Sequence, residues 1–215
     1  MNTHSHILMG RFLNDYVRKK YGIVLNRRSF IWGNVRPDYS VSFIQRPHFI
    51  KYNLTYVQKL TIFTLKRRAQ KQKKQKQKYI QKSANRDKYY SKQLGILCHY
   101  YADFFCFAHT SYFKGGLYRH FKYEDKLDQF FTENYDKLMT VELIHNTAAA
   151  RDEKQIFAQF AKHQFAYMNS VPSLQNDIAY SILACTELIC LLAGSSVPAE
   201  REENLQTDSA GTKII

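Results

Sequence analysis

Apolar positions recur at helical spacing near the amino terminus (Ile7, Leu8, Phe12, Tyr16, Val17), and Gly22 follows as a stop, so the pattern predicts a first helix over Thr3–Tyr21. Between residues 23 and 47 the period is lost. Gly33, Pro37 and Pro47 punctuate that stretch, which reads as an ordered loop. Neither Gly nor Pro occurs again before Gly95, an absence that permits one or two long helices. Further helical patterns run from about residue 87 to 112 and, after a turn at Gly115 and Gly116, from 117 to 134. Two or three more helices fill 137–192. The apolar run 178–193 carries Thr186 and Glu187 and falls short of the roughly 20 apolar residues needed to cross a bilayer, so it reads as a buried helix and no transmembrane segment is expected. From Gly194 onward no periodic apolar face remains. The expectation is an all-α, single-domain multi-helix bundle over residues 1–193 with a disordered tail over 194–215.

Composition changes this picture little, but charge does. The 215 residues are 45% hydrophobic and 15% aromatic, enough to bury one core. The four cysteines (Cys98, Cys106, Cys185, Cys190) form no C-x-x-C pair and lie in apolar stretches, which suits free thiols in a reducing compartment. The apolar run at residues 7–9 is too short for a signal-peptide core. A net charge of +14 is concentrated in residues 66–82, which hold nine basic side chains and no acidic one. Such a tract is either a solvated surface or an attractor of polyanions, with anionic membrane surface and nucleic acid as the two candidate partners.

The segment carrying the most chemistry is GILCHYYADFFCFAH, residues 95–109. His99 and Asp103 are four apart, so on a helix they project about 40° apart from one face and can reach one ion. HFKYE repeats the device with His120 and Glu124, and His109 lies between the two pairs. Imidazole and carboxylate are the ligands zinc takes when it keeps an open position for water. A single such pair is equally at home as a surface hydrogen bond. The aromatic surroundings of the first pair tip the balance, because an unpartnered carboxylate among Leu97, Tyr100, Phe104 and Phe105 is costly to bury. His145 and His163 lack partners at helical spacing and read as ordinary surface or core histidines.

The string H-Y-x-x-D-x-x-x-x-x-H followed by H-x-x-x-E resembles the bacterial zinc-dependent phospholipase C family. Upstream, Ser5-His6-Ile7-Leu8, the W-G-N-x-x-P-D-Y segment ending at Tyr39, and His48 are similar to the same family. The likeness covers about residues 2–127, with the basic stretch 66–92 as an insertion. What the resemblance implies is a helical domain holding two or three zinc ions. Asp38, His48, His99 and Asp103 would hold one, His109, His120 and Glu124 a second, and Asp103 with His6 a third. In the family that third ion is also held by an amino-terminal tryptophan, which this sequence lacks, so His4 is a candidate substitute ligand. The implied reaction is hydrolysis of the glycerol-phosphate bond of a phospholipid by a zinc-activated water. Asp38 is either a ligand or the catalytic proton acceptor, and Tyr39 is a candidate substrate contact, with a core position the alternative.

Two other readings stand beside this one. The related single-strand nucleases use a similar zinc cluster, and the basic tract suits a nucleic acid substrate. A non-catalytic, metal-stabilised protein binding anionic membrane or RNA is the second. The expected setting is the cytoplasm or the inner membrane surface.

Overall fold

The computed structural model describes residues 1–39, 49–77, 88–143, 149–150 and 152–193, with backbone alone over 71–77. Among these residues the fold is entirely helical. Seven α-helices follow in order: α1 (Thr3–Tyr21), α2 (Arg27–Val35), α3 (Ile50–Gln77), α4 (Lys88–Phe104), α5 (Leu117–Thr140), α6 (Glu153–Met168) and α7 (Leu174–Ala193). Two short 3-10 turns, Arg36–Tyr39 and Phe107–His109, follow α2 and α4.

Helix α1 has the predicted bounds, and its ends explain them. The Asn2 side chain accepts the Ser5 amide, and Gly22 takes a left-handed φ of 65° from which its N–H reaches the Val17 carbonyl. Three basic residues in the last turn (Arg18, Lys19, Lys20) complement the helix dipole. Phe12, Leu13, Tyr16 and Val17 are fully buried, and the Phe12 ring meets Phe131 and Tyr135 of α5. Each such side chain contributes about 1.5–3 kcal/mol through its burial.

Helix α2 is where the expected loop fails. Asn26 caps it by accepting the Ser29 amide, and Gly33, read above as a breaker, lies inside it. The glycine is there for close approach. A Cβ on Gly33 would stand 2.3 Å from the Lys92 carbonyl oxygen, and one on Gly95 would stand 2.2 Å from that of Phe30. Helices α2 and α4 thus cross backbone to backbone at paired glycines, which sequence periodicity does not reveal. The rest of the expected loop, including Pro47 and His48, lies outside the described residues.

Helix α4 forms the axis of the bundle, buried along nearly its whole length and flanked by α2, α3 and α7. It ends at Phe104, earlier than the predicted 112, because Cys106 turns extended (φ −108°, ψ 120°) and the Phe107 amide is taken by a side chain of α7. Helix α5 runs past the expected 134 to Thr140, and its end is tied to α1 where the Tyr16 hydroxyl donates to the Val141 carbonyl at 2.7 Å. Helix α7 is long and apolar enough to cross a membrane by length and composition, yet most of it is buried against α4 and its neighbours. All four cysteines are free and buried.

The expected insertion at 66–92 is partly helical. Residues 66–77 continue α3, and 88–92 open α4. Arg67 lies 4.3 Å over the Tyr89 ring and Arg68 donates to the Leu191 carbonyl at 3.3 Å, so the first turn of the basic tract grips the bundle. The remainder of the tract, residues 78–87, and the tail from 194 lie outside the described residues, as does His145.

Candidate metal centre

The i,i+4 pairs foreseen on α4 and α5 face each other across the amino terminus of α1. His6, Asp38 and His99 bring ligand atoms within 4.8 Å of one another, and so do His109, His120 and Glu124. Helix α1 supplies His6, the turn after α2 supplies Asp38, α4 supplies His99 and Asp103, the turn after α4 supplies His109, and α5 supplies His120 and Glu124. Asp103, fully buried, stands between the groups. Its Oδ2 is 3.3 Å from His99 Nε2, and its Oδ1 is 3.3 Å from His6 Nε2 and 3.5 Å from His109 Nδ1. Glu124 Oε1 lies 2.9 Å from His109 Nε2 and 3.2 Å from His120 Nε2.

The donor chemistry fits zinc, and His6 gives the sharpest test of that fit. Its ring is completely buried and stacked 3.9 Å from the His99 ring; Nε2 faces Asp103 Oδ1 at 3.3 Å without hydrogen-bond geometry, and Nδ1 has no hydrogen-bond partner among the described residues. A buried polar atom left without a hydrogen bond costs about 1–3 kcal/mol, and an ion bound between this imidazole and the Asp103 carboxylate would remove that cost. His99 shows the complementary arrangement. Its Nδ1 donates to the Asn34 carbonyl at 2.7 Å, which fixes the tautomer and leaves Nε2 facing the two carboxylates. That carbonyl is in place because the Gly33 and Gly95 crossing brings the end of α2 against α4.

The site already holds a cation from the chain itself. The Met1 amino nitrogen lies 2.6 Å from Asp103 Oδ1, 3.0 Å from Glu124 Oε1 and 3.3 Å from His109 Nε2. Burial disfavours charge on this amine, but the two carboxylates outweigh it and hold its pKa well above the usual value. Burial likewise opposes ionisation of Asp103, yet the amine and the imidazoles of His109, His6 and His99 keep its carboxyl well below the ordinary range. Glu124 is depressed in the same way, and burial lowers His109. The arrangement stabilises positive charge at its centre.

The other predicted positions are resolved individually. Asp38 is partly exposed at the edge, its Oδ1 3.6 Å from His99 Nε2 and its Oδ2 accepting from Thr3 Oγ1 at 3.2 Å. Tyr39 is not a core residue. It is 69% exposed and stacked on Trp32. His4 belongs to neither group, because its ring is exposed and its Nδ1 is engaged by Asp128 at 2.8 Å. His48 lies outside the described residues. His163, read as an ordinary surface or core histidine, pairs with Glu187 across α6 and α7, away from the metal centre.

Sequence reasoning passed over Asp177. This buried carboxylate at the start of α7 accepts the Phe107 amide at 2.7 Å, the Tyr123 hydroxyl at 3.0 Å and the Tyr167 hydroxyl at 2.8 Å. It therefore clamps the turn that carries His109 to α5 and α6. Burial pushes its carboxyl up to about 6, against the pull of these donors. Nothing at helical spacing flags it, since its partners are 10 to 70 residues away in sequence.

The family model for zinc dependent phospholipase C matches residues 5–174. Comparison with curated proteins and with solved structures returns no match.

Proposed function

The chain belongs to the zinc-dependent phospholipase C family, and we propose that it hydrolyses the glycerol-phosphate bond of phospholipids at a zinc cluster held by His6, Asp38, His99, Asp103, His109, His120 and Glu124. The observation that carries this reading is the buried His6 imidazole, without a well-formed hydrogen bond, facing at 3.3 Å a carboxylate that touches both ligand groups. Zinc, when bound, supplies Lewis-acid polarisation of a phosphoryl oxygen and acidifies water. The chain's own residues do the rest. Asn34 and the α2–α4 crossing hold His99 in one tautomer. Asp103 supplies negative charge at the point where the two groups meet. Asp38, the most exposed of the three carboxylates, is positioned by Thr3 to accept the proton of an attacking water at the solvent edge.

A lipid fits the surroundings better than a nucleic acid. The metal centre borders a cavity of about 430 Å³ lined by His109, Phe49, Tyr52, Phe104 and Met168. Through Ile50, Gln164 and Met168 it adjoins an apolar groove of about 560 Å³ between α3 and α6, walled by Leu54, Val57, Phe157 and Phe160. The groove walls suit acyl chains, while Lys51, Thr110 and Ser111 beside His109 supply the polar groups that meet a phosphate. Incubation with zinc and phosphatidylcholine vesicles is expected to release diacylglycerol, while single-stranded DNA and RNA stay intact. Nucleotides without diacylglycerol would favour the nuclease reading, and neither product the non-catalytic one.

A further inference from the structure

We infer that residues 110–123 form a docking surface for an anionic phospholipid membrane, seating the metal centre against the lipid. The inference rests on the lipid-hydrolase reading for its purpose, and on the following observations for its substance.

Helix α5 buries one side, through Glu124, Leu127 and Phe131. Its first turns carry a second apolar side that no described residue covers. Leu117 is 78% exposed, Tyr118 76% and Phe121 59%, and Tyr112 in the preceding turn is 64% exposed. On a helix, 117, 118 and 121 share one face, so these are neighbours and not scattered residues. Water-facing helix turns do not ordinarily present Leu, Tyr and Phe together, and a clustered patch of this kind marks an interaction surface.

The chemistry of the patch selects its partner. Lys114, Arg119 and Lys122 are exposed around the apolar residues, and the acidic side chain next along this face, Asp125, accepts from the Asn2 amide at 3.4 Å. Lys122 reaches over the Tyr118 ring at 5.9 Å, so the cation and the aromatic face act at one place. Leu117, Tyr118, Phe121 and Lys122 on one side of the helix, flanked by Lys114 of the preceding turn and by Arg119, suit the headgroup layer of a bilayer, with apolar tips entering the acyl boundary and basic groups meeting anionic phosphates. A protein partner would not require the basic set, and nucleic acid would not require the exposed leucine.

The placement is equally specific. The patch is built on the same turns as the ligands: His120 sits between Arg119 and Phe121, and its ring contacts Phe113, whose own ring packs on Phe107 and Tyr123. A membrane engaged by Leu117 and Phe121 would therefore lie at the mouth of the second ligand group. The basic tract at 66–82 is a separate feature, partly occupied in holding α3 to the bundle.

The test is sedimentation of the full chain with vesicles of phosphatidylcholine alone or with a third of phosphatidylserine. Each basic group is worth about fivefold near an anionic surface, so the mixed vesicles are expected to bind at least tenfold more tightly. Leu117→Ser, Tyr118→Ser and Phe121→Ser together are expected to weaken binding by about a hundredfold. Zinc content and turnover of a monomeric short-chain phosphatidylcholine are expected to be unchanged. Replacing Lys71, Lys73 and Lys74 by Gln is expected to change vesicle affinity less than threefold. The proposal is overturned if the apolar triple variant still binds vesicles as the parent does, or if the lysine variant loses binding instead. Should the triple variant misfold, a single tryptophan at the patch decides the matter: Leu117→Trp in a Trp32→Phe background is expected to shift its emission to the blue on vesicles, and an unshifted spectrum overturns the proposal. Vesicle binding without hydrolysis of either substrate would leave the docking surface standing and remove the phospholipase reading.

Discussion

Asp103→Asn is expected to lower phosphodiester hydrolysis by more than about a hundredfold and to strip zinc from both ligand groups. The bound is set by comparison: residues that only orient a metal ligand cost about 10- to 100-fold when changed, and Asp103 touches His6, His99 and His109 directly. Asparagine keeps the volume, so packing around α4 is retained. What changes is charge, because the carboxylate that faces three imidazoles and the amine disappears from the meeting point of the groups, and a neutral amide is a far weaker metal ligand. The Met1 amine then keeps only Glu124 among its carboxylate partners. Breaking a buried ion pair on one side typically costs about 3–5 kcal/mol, so the metal-free variant is also expected to denature at lower urea concentration. Metal content and diacylglycerol release, measured on one preparation, check both parts. Retention of full activity would mean that Asp103 is a structural counter-ion only.

Gly95→Ala is expected to destabilise the bundle strongly and to loosen the metal centre. The new Cβ would meet the Phe30 carbonyl oxygen at 2.2 Å, the Asn34 nitrogen at 2.9 Å and the Gly33 Cα at 2.9 Å, all backbone atoms that no rotamer change can move aside. Overpacking of this kind costs typically 1–3 kcal/mol and more where backbone must shift, while alanine returns about 1 kcal/mol of helix propensity. The clash wins, and a net loss of about 2 kcal/mol corresponds to a fall in Tm of roughly 4–8 °C for a chain of this size. The change reaches the site as well. Separating α2 from α4 draws the Asn34 carbonyl away from His99 Nδ1, and loss of such an orienting bond is expected to weaken zinc binding about 10- to 100-fold. Thermal denaturation with and without a chelator separates the two effects. By contrast, Gly116→Ala, where an added Cβ meets nothing, is expected to leave both Tm and metal content nearly unchanged.

These residues also show what was legible in the sequence. The His99 and Asp103 pair and the His120 and Glu124 pair could be placed on shared helix faces because an i,i+4 spacing fixes direction once the helix is granted, and both pairs fall on helices. The first helix was equally plain, with Asn2 and Gly22 closing its ends. Helix α2 was hidden by the very residue that makes it useful, since a glycine needed for close approach looks the same in sequence as a glycine that breaks a helix. The early end of α4 was hidden because its cause, the Asp177 carboxylate, lies 70 residues on. The amine of Met1 and the carbonyl of Asn34 are backbone groups, and no side-chain pattern reports where a backbone group will be wanted. His4 illustrates the reverse error. His4 was a candidate to replace the missing tryptophan beside His6, but α1 turns His6 into the bundle and His4 out toward Asp128.

Elemental analysis decides whether these side chains hold zinc. The protein purified without added metal is to be measured beside a variant carrying His99→Ala and His120→Ala, one ligand from each group. The account predicts roughly two to three equivalents of zinc per chain in the parent and a sharp fall in the variant. Absence of zinc from the parent, even after zinc is supplied and the excess removed, would contradict it.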